Sequence, residues 1–152
     1  MSDDFDTALL SAEAAENAAV YGYSLAGAKL ATPHDKALAR AGYDVHRAQV
    51  EKVRGWVIER GSTPPPAAPV YSLPNAVTDA ASARLMLAAI DESTAAAYAD
   101  VVAAAALGGP VQGAAAAALQ SAAVREALWR TTSVPFPGLV GRLGSARDED
   151  GR

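Results

Sequence analysis

The sequence predicts an all-α fold, a four-helix bundle in which two antiparallel helix pairs are joined by one long proline-rich crossover. Three observations predict it. The 152 residues, enough for one domain, are 51% hydrophobic but only 6% aromatic, so the apolar content is mostly alanine, the best helix former. Glycine and proline divide the chain into four long segments. Between the second and third segments lies a proline-rich stretch, GSTPPPAAPVYSLPN, from Gly61 to Asn75.

The first two predicted helices are separated only by a short turn before Pro33. Helix one runs from about Asp6 to Leu30 and has acidic residues in its first turns, where they suit the helix dipole. Helix two begins at Pro33, with Thr32 as its N-cap, and lasts to Gly61. Because the connection is short, the two helices are expected to be antiparallel.

The crossover that follows is long enough to span the whole bundle. As extended polyproline it reaches about 45 Å, whereas a helix of about 28 residues is about 42 Å long. Asn75 is predicted to cap a third helix from about Ala76 to Leu107, and Pro110 to open a fourth that stops near Thr131. One long crossover between two antiparallel pairs is the connectivity of ferritin-like folds. The bundle is assigned to residues 1–140, and residues 141–152 are expected to form a polar, disordered tail.

Composition and charge exclude several classes of function. A net charge of -4, without a cluster of Lys and Arg, argues against a nucleic-acid partner. The absence of cysteine excludes disulfides and thiol chemistry. No apolar run approaches the roughly 20 residues of a membrane span, and the first residues are acidic where a signal peptide would be basic. We therefore expect a cytoplasmic protein without membrane contact.

Polar residues interrupt the inward-facing stripe of each predicted helix. Alternating steps of four and three residues define such stripes, although helix four admits a second one. The stripes carry Glu13 and Glu16 on helix one, His46 on helix two, Glu92 on helix three and Glu126 on helix four. Since a buried carboxylate is costly unless it is paired or bound to a metal, these five residues are the candidate site and the candidate metal ligands.

Glutamate and histidine in a bundle core are also the ligands of di-iron proteins. Those proteins take one Glu from each of two helices and a Glu-x-x-His motif from each of the other two. Here Tyr43 stands where a Glu should precede His46, and Trp129 stands where a His should follow Glu126. About four of the usual six ligands remain.

Two other interpretations give these residues no catalytic or metal-binding role. Glu13 and Glu16 can be read as continuing an acidic first turn on a solvated face. His46 can be read as part of a structural hydrogen-bond network with Asp44 and Arg47.

Several segments together resemble an alanine-rich, ferritin-like domain family of actinobacteria that carries no assigned function. The resemblance covers about Ala8 to Leu139 and implies the ferritin-like fold, whose superfamily includes iron-storing, oxygen-activating and manganese-binding members. The segments that carry it are SAEAAENAAVYGY in helix one, YDVHRAQVEKV in helix two, PVYSLPNAVTDAASA after the prolines, and AAVREALWR followed by PFPGL.

Two hypotheses of function follow. In the first, the core binds one iron or manganese ion through Glu13 or Glu16, His46, Glu92 and Glu126, and supports redox or oxygen chemistry. In the second, the same residues form a metal-free buried network, and the protein is a helical interaction module that forms a homodimer through alanine-rich faces. The second is favoured, because two of the usual ligands are missing.

Overall fold

A computed structural model describes residues 2–130 of the chain, with the side chains of residues 4–130. Four α-helices make up the described part, without any strand there: α1 (Ser2–Gly27), α2 (Pro33–Glu59), α3 (Ala80–Ala104) and α4 (Pro110–Arg130). The predicted all-α four-helix fold is therefore confirmed. The predicted tail, residues 141–152, and the predicted end of helix four near Thr131 lie outside the described residues.

The first two helices begin and end close to the predicted positions. α1 starts earlier than Asp6 and ends at Gly27, although Leu30 still packs into the core beyond it. α2 starts at Pro33 as predicted, because the hydroxyl oxygen of Thr32 accepts a hydrogen bond from the backbone N–H of Asp35 and so satisfies one free donor of the first turn.

The start of α3 differs from the prediction. Asp79, not Asn75, is the N-cap: its carboxylate accepts the backbone N–H of Ser82, and the Ser82 side chain accepts the N–H of Asp79 in return. This reciprocal capping box satisfies two donors at once. Asn75 instead donates to the carbonyl oxygens of Ala76 and Ser82, and thus ties the crossover to the first turn of α3.

Contacts between the helices establish the connectivity. α1 packs against α2 and α3, and α3 packs against α4. The ion pair between Asp6 and Arg60 joins the start of α1 to the end of α2, so this pair is antiparallel. Gln112 likewise joins the start of α4 to the carbonyl oxygen of Val102 near the end of α3. The crossover returns along the bundle between these pairs, and Tyr71 packs on Tyr21 of α1 with ring centroids 5.8 Å apart.

The buried apolar side chains form two clusters, one toward each end of the bundle. One includes Tyr23, Leu87 and Trp129, and the other includes Leu9 and Val57. None of the helices in the described range is long and apolar enough to cross a membrane. Between the two clusters lies a layer of buried polar residues, which is the candidate site.

Candidate functional site: a buried polar layer

Among the described residues, six polar side chains are almost completely buried in the middle of the bundle, each at most 1% exposed. All four helices contribute to this polar layer, because α1 and α3 each turn two polar positions inward and α2 and α4 each turn one. Its members are Glu13 and Glu16 on α1, His46 on α2, Asp91 and Thr94 on α3, and Glu126 on α4.

His46 lies at the centre of the layer, between two carboxylates from different helices. Its Nδ1 is 2.6 Å from Oε2 of Glu16, a short hydrogen bond of the charge-assisted kind. Its Nε2 is 3.2 Å from Oδ1 of Asp91, close enough for an ion pair, although the two atoms are not aligned as a hydrogen bond. The ring also packs against Tyr23, with centroids 4.8 Å apart. His46 therefore links α1, α2 and α3.

Both carboxylates are held by further donors. The hydroxyl of Tyr98 donates to Oε1 of Glu16 at 2.7 Å. The hydroxyl of Tyr23 donates to Oδ2 of Asp91 at 2.5 Å and accepts the indole N–H of Trp129 at 2.9 Å. These contacts extend the network over the full width of the bundle.

Arg125 of α4 brings a second cation to the network. Its Nε donates to Oδ1 of Asp91 at 2.9 Å, and the side chain is only 11% exposed. Since Oδ1 also faces His46, the imidazole ring and the guanidinium group share one carboxylate oxygen. The four helices are thereby connected through Asp91.

The surroundings of His46 favour its cationic form. Burial lowers the pKa of His46, but contacts and charges from Asp91 and Glu16 outweigh burial, and the pKa is raised above its usual value. The two carboxylates of Glu16 and Asp91 thus meet two cations, His46 and Arg125. Burial and the neighbouring carboxylates also raise the pKa values of Tyr23 and Tyr98, which keeps both hydroxyls protonated as donors.

Glu13 lies in the same layer but outside the hydrogen-bond network. Neither of its carboxylate oxygens has a hydrogen-bond partner among the described residues. Its closest cation is Arg54, with Nε 3.9 Å from Oε1. Burial raises the pKa of Glu13, because an unpaired carboxylate is costly away from water.

Glu126 is only partly satisfied. Its Oε1 accepts from Nε of Arg130 at 2.8 Å, whereas Oε2 is buried without a partner in the described part of the chain. Burial raises the pKa of Glu126 above its usual value. The same arginine also donates to Oε2 of Glu92 at 2.8 Å.

Four of the five predicted site residues are buried as expected, and Glu92 is not. Glu13, Glu16, His46 and Glu126 all lie inside the bundle, which excludes the solvated-face interpretation of the first two. His46 pairs with Glu16 and Asp91, not with Asp44 and Arg47. The Glu92 side chain is 35% exposed and faces Arg130, so the predicted inward position of Glu92 is wrong.

The error on α3 has a simple physical cause. The stripe that carries Glu92 at alternating steps of four and three residues consists mostly of small alanines and also includes Leu85, which is 54% exposed. The buried stripe is shifted along the helix and carries larger side chains at the same alternating spacing, Leu87, Asp91, Thr94, Tyr98 and Val101. The bulk of Leu87 and Tyr98 is the signal that identifies this face, since large side chains gain most from burial. The sequence analysis therefore missed Asp91 and Tyr98, as well as Arg125.

The donor atoms do not converge as a metal centre in the present arrangement. Within residues 4–130, no group of three or more His, Asp or Glu side chains is placed to hold a metal ion. A metal at Asp91 would compete with Arg125 and Tyr23, which already contact its two oxygens. The buried side-chain atoms without a hydrogen-bond partner among the described residues are both carboxylate oxygens of Glu13, Oε2 of Glu126 and Nε2 of His46. Metal ligation by Glu13, Glu16, His46, Glu92 and Glu126 stays a prediction.

Comparison with known proteins places the chain in a family. No curated protein matches it. Its structure is similar to the crystal structure of a conserved hypothetical protein, rv2844, from Mycobacterium tuberculosis, with a TM-score of 0.80 and 30% sequence identity, covering 86% of this chain and 98% of that chain. The model of a family described as a domain of unknown function (DUF4439) matches residues 8–141. The chain belongs to this DUF4439 family.

Proposed function

We propose that this domain is a non-catalytic, ferritin-like interaction module that forms a homodimer. In each subunit, a metal-free Glu/His network holds the four helices in register. The observation that carries the proposal is the position of His46 between Glu16 and Asp91. Both ring nitrogens face a carboxylate, so neither is directed toward an open position where a substrate or a metal would bind. Full burial of the ring supports the same conclusion.

Charge balance gives the network a structural role. Two carboxylates meet two cations, and two tyrosine hydroxyls donate to the remaining carboxylate oxygens. A buried polar group that is satisfied in only one arrangement disfavours other packings, because any shift of a helix leaves a charge unpaired. Half of the buried apolar residues in the described range are alanines, which are too small to specify register strongly, so such a network helps to select one alignment of the four helices.

Exposed apolar side chains support dimer formation. Leu85 of α3 is 54% exposed, and Val124 and Leu128 of α4 are 61% and 50% exposed. Leu85 and Leu128 lie near the same end of the helix pair, because Arg84 donates to the carbonyl oxygen of Leu128. Apolar surface on two adjacent helices is typical of an interface between subunits.

Analytical ultracentrifugation tests the dimer. The wild-type chain is expected to sediment with twice the mass of the 15.5 kDa protomer. The double variant Leu85→Ser, Leu128→Ser is expected to sediment with the mass of a single protomer. Ile58→Ser, on α2 and equally exposed, is the matched control and should leave the dimer intact. A wild-type chain that stays monomeric at high concentration would disprove the dimer.

The alternative function is an iron- or manganese-binding protein with redox or oxygen chemistry in the core. The buried, unpartnered oxygens of Glu13 and Glu126 are the observation that favours it, since carboxylates suit such ions. Elemental analysis after growth with added iron and manganese distinguishes the two functions. A metal content close to one ion per chain that is lost in the His46→Ala variant would support the alternative. Under the main proposal, the protein contains no stoichiometric metal, and chelators leave its melting temperature unchanged.

A further inference from the structure

An open cavity of about 310 Å³ lies between the end of α1 and the start of α2. Its volume is at the lower end of the range for small-molecule sites. The residues that line it are of three kinds: cations, aromatic rings, and small residues. They include Ser24, Lys36, Ala39, Arg40, Tyr43 and Tyr23.

The two cations are four residues apart on α2 and therefore lie on the same face of the helix. Both are exposed, and neither Lys36 nor Arg40 forms an ion pair with any residue in the range 4–130. The nearby carboxylate of Asp35 is already paired with Arg84 at 2.7 Å. In a chain of net charge -4, two cations without an ion pair in the described part of the chain create a local site of positive potential beside the cavity.

Apart from Ser24, whose hydroxyl donates to the carbonyl oxygen of Tyr21, the remaining lining of the cavity is apolar and aromatic. Ala39 and Tyr23 are buried, at 4% and 2% exposure, and contribute the inner wall. The ring of Tyr43 is partly exposed and lines the cavity. The guanidinium carbon of Arg47 lies over this ring, 5.8 Å from its centroid, so a ligand would stack on the opposite face. An occupant of this cavity must therefore combine an anionic group with a flat apolar body.

We propose that the cavity binds a small organic anion, a carboxylate or phosphate group attached to a single aromatic ring. The anionic group pairs with Lys36 and Arg40, and the ring stacks on Tyr43 above the inner wall. Because the Tyr23 hydroxyl accepts the indole N–H of Trp129, a ligand against Tyr23 is expected to change the environment of that indole.

Isothermal titration calorimetry with phenyl phosphate and with benzoate tests the proposal on the full chain. Saturable binding of one molecule per chain is expected for at least one of the two compounds, and the tighter one identifies the preferred headgroup. Phenol and inorganic phosphate each supply half of the recognised chemistry and should bind at least tenfold more weakly. Failure of both aromatic anions to saturate below about 10 mM, or equally tight binding of phenol, would overturn the proposal.

Substitutions then locate the site. Lys36→Gln with Arg40→Gln is expected to weaken binding at least tenfold, because two charge-assisted contacts are lost. Lys52→Gln is the matched control: it removes an exposed lysine about 24 Å further along α2 and should leave affinity unchanged. The Trp129 indole N–H resonance, assigned with a Trp56→Phe variant, should shift on addition of ligand. Equal loss of affinity in the control, or no loss in the double variant, would refute this location.

Discussion

His46 and Glu13 are both fully buried in the same layer of the bundle, yet their surroundings are opposite. His46 has a carboxylate at each ring nitrogen, so the protein stabilises its charge. Glu13 has no hydrogen-bond partner among the described residues and only a distant arginine, so the protein disfavours its charge. Residue type and helical position alone do not distinguish these two environments, because the difference depends on side chains from neighbouring helices.

Replacement of His46 by leucine is expected to lower the free energy of unfolding by about 3 to 5 kcal/mol, because the buried carboxylate of Glu16 loses its partner. The added substitution Glu16→Gln should restore part of the loss, since the neutral amide still accepts the hydroxyl of Tyr98. Urea denaturation of the single and double variants measures this coupling. His34→Leu, at an exposed position, is the control, and a His46→Leu variant as stable as that control would contradict the network.

For Glu13, the substitution Glu13→Gln is expected to raise the melting temperature at pH 8 and to have little effect at pH 4.5. The physical reason is that the amide keeps the shape of the side chain and removes only the cost of ionising it inside the bundle. Thermal unfolding followed by circular dichroism checks the result. Glu59→Gln, exposed at the end of α2, should change neither value, and a loss of stability at pH 8 in Glu13→Gln would show that the charged form is stabilised.

At the scale of the helices, close approach is achieved with glycine and alanine. A Cβ atom at Gly42 of α2 would overlap the ring of Tyr23 on α1. That ring cannot move away easily, because its hydroxyl is held by Asp91 and Trp129. By contrast, a Cβ atom at Gly55 on the same helix meets no atom within 4 Å.

This contrast predicts opposite effects for the same substitution. Gly42→Ala is expected to lower the free energy of unfolding by about 1 to 3 kcal/mol through overpacking. Gly55→Ala should raise it by about 1 kcal/mol, because alanine favours the helix and meets no obstacle. Chemical denaturation measures both, and each variant serves as the control for the other. Equal effects of the two substitutions would mean that α1 and α2 do not approach closely at Gly42.

At the scale of the whole molecule, three buried carboxyl and imidazole groups among the described residues have raised pKa values: Glu13, His46 and Glu126. A group whose pKa is raised by folding contributes stability that is complete below its unfolded pKa and is lost as the pH rises through its folded pKa. The unfolded values are 4.5 for the glutamates and 6.5 for the histidine. Asp79 has a lowered pKa, so the stability that it contributes is present above its usual value of 3.8 and is lost as the pH falls below that value.

The protein is therefore expected to be more stable at pH 5 than at pH 8. Urea denaturation at several pH values measures the slope, which should be smaller in a Glu13→Gln, Glu126→Gln double variant, because two of the three contributing groups no longer titrate. The exposed Glu59→Gln variant should keep the wild-type slope. Stability that rises from pH 5 to pH 8 would show that the buried glutamates are stabilised as anions.

The sequence by itself determined the four helices, the short turn at Pro33, the crossover and the inward positions of Glu13, Glu16, His46 and Glu126. These features follow from proline, glycine and the spacing of residues along one helix, which are local properties. Only the tertiary structure decided how the polar layer is paired. Asp91 takes the inward position expected for Glu92, because burial of the bulky Leu87 and Tyr98 sets the rotation of α3, and the spacing of residues along the helix does not by itself specify that rotation. The pairing of His46 with Glu16 and Asp91, across more than one helix interface, likewise exists only once the bundle is assembled.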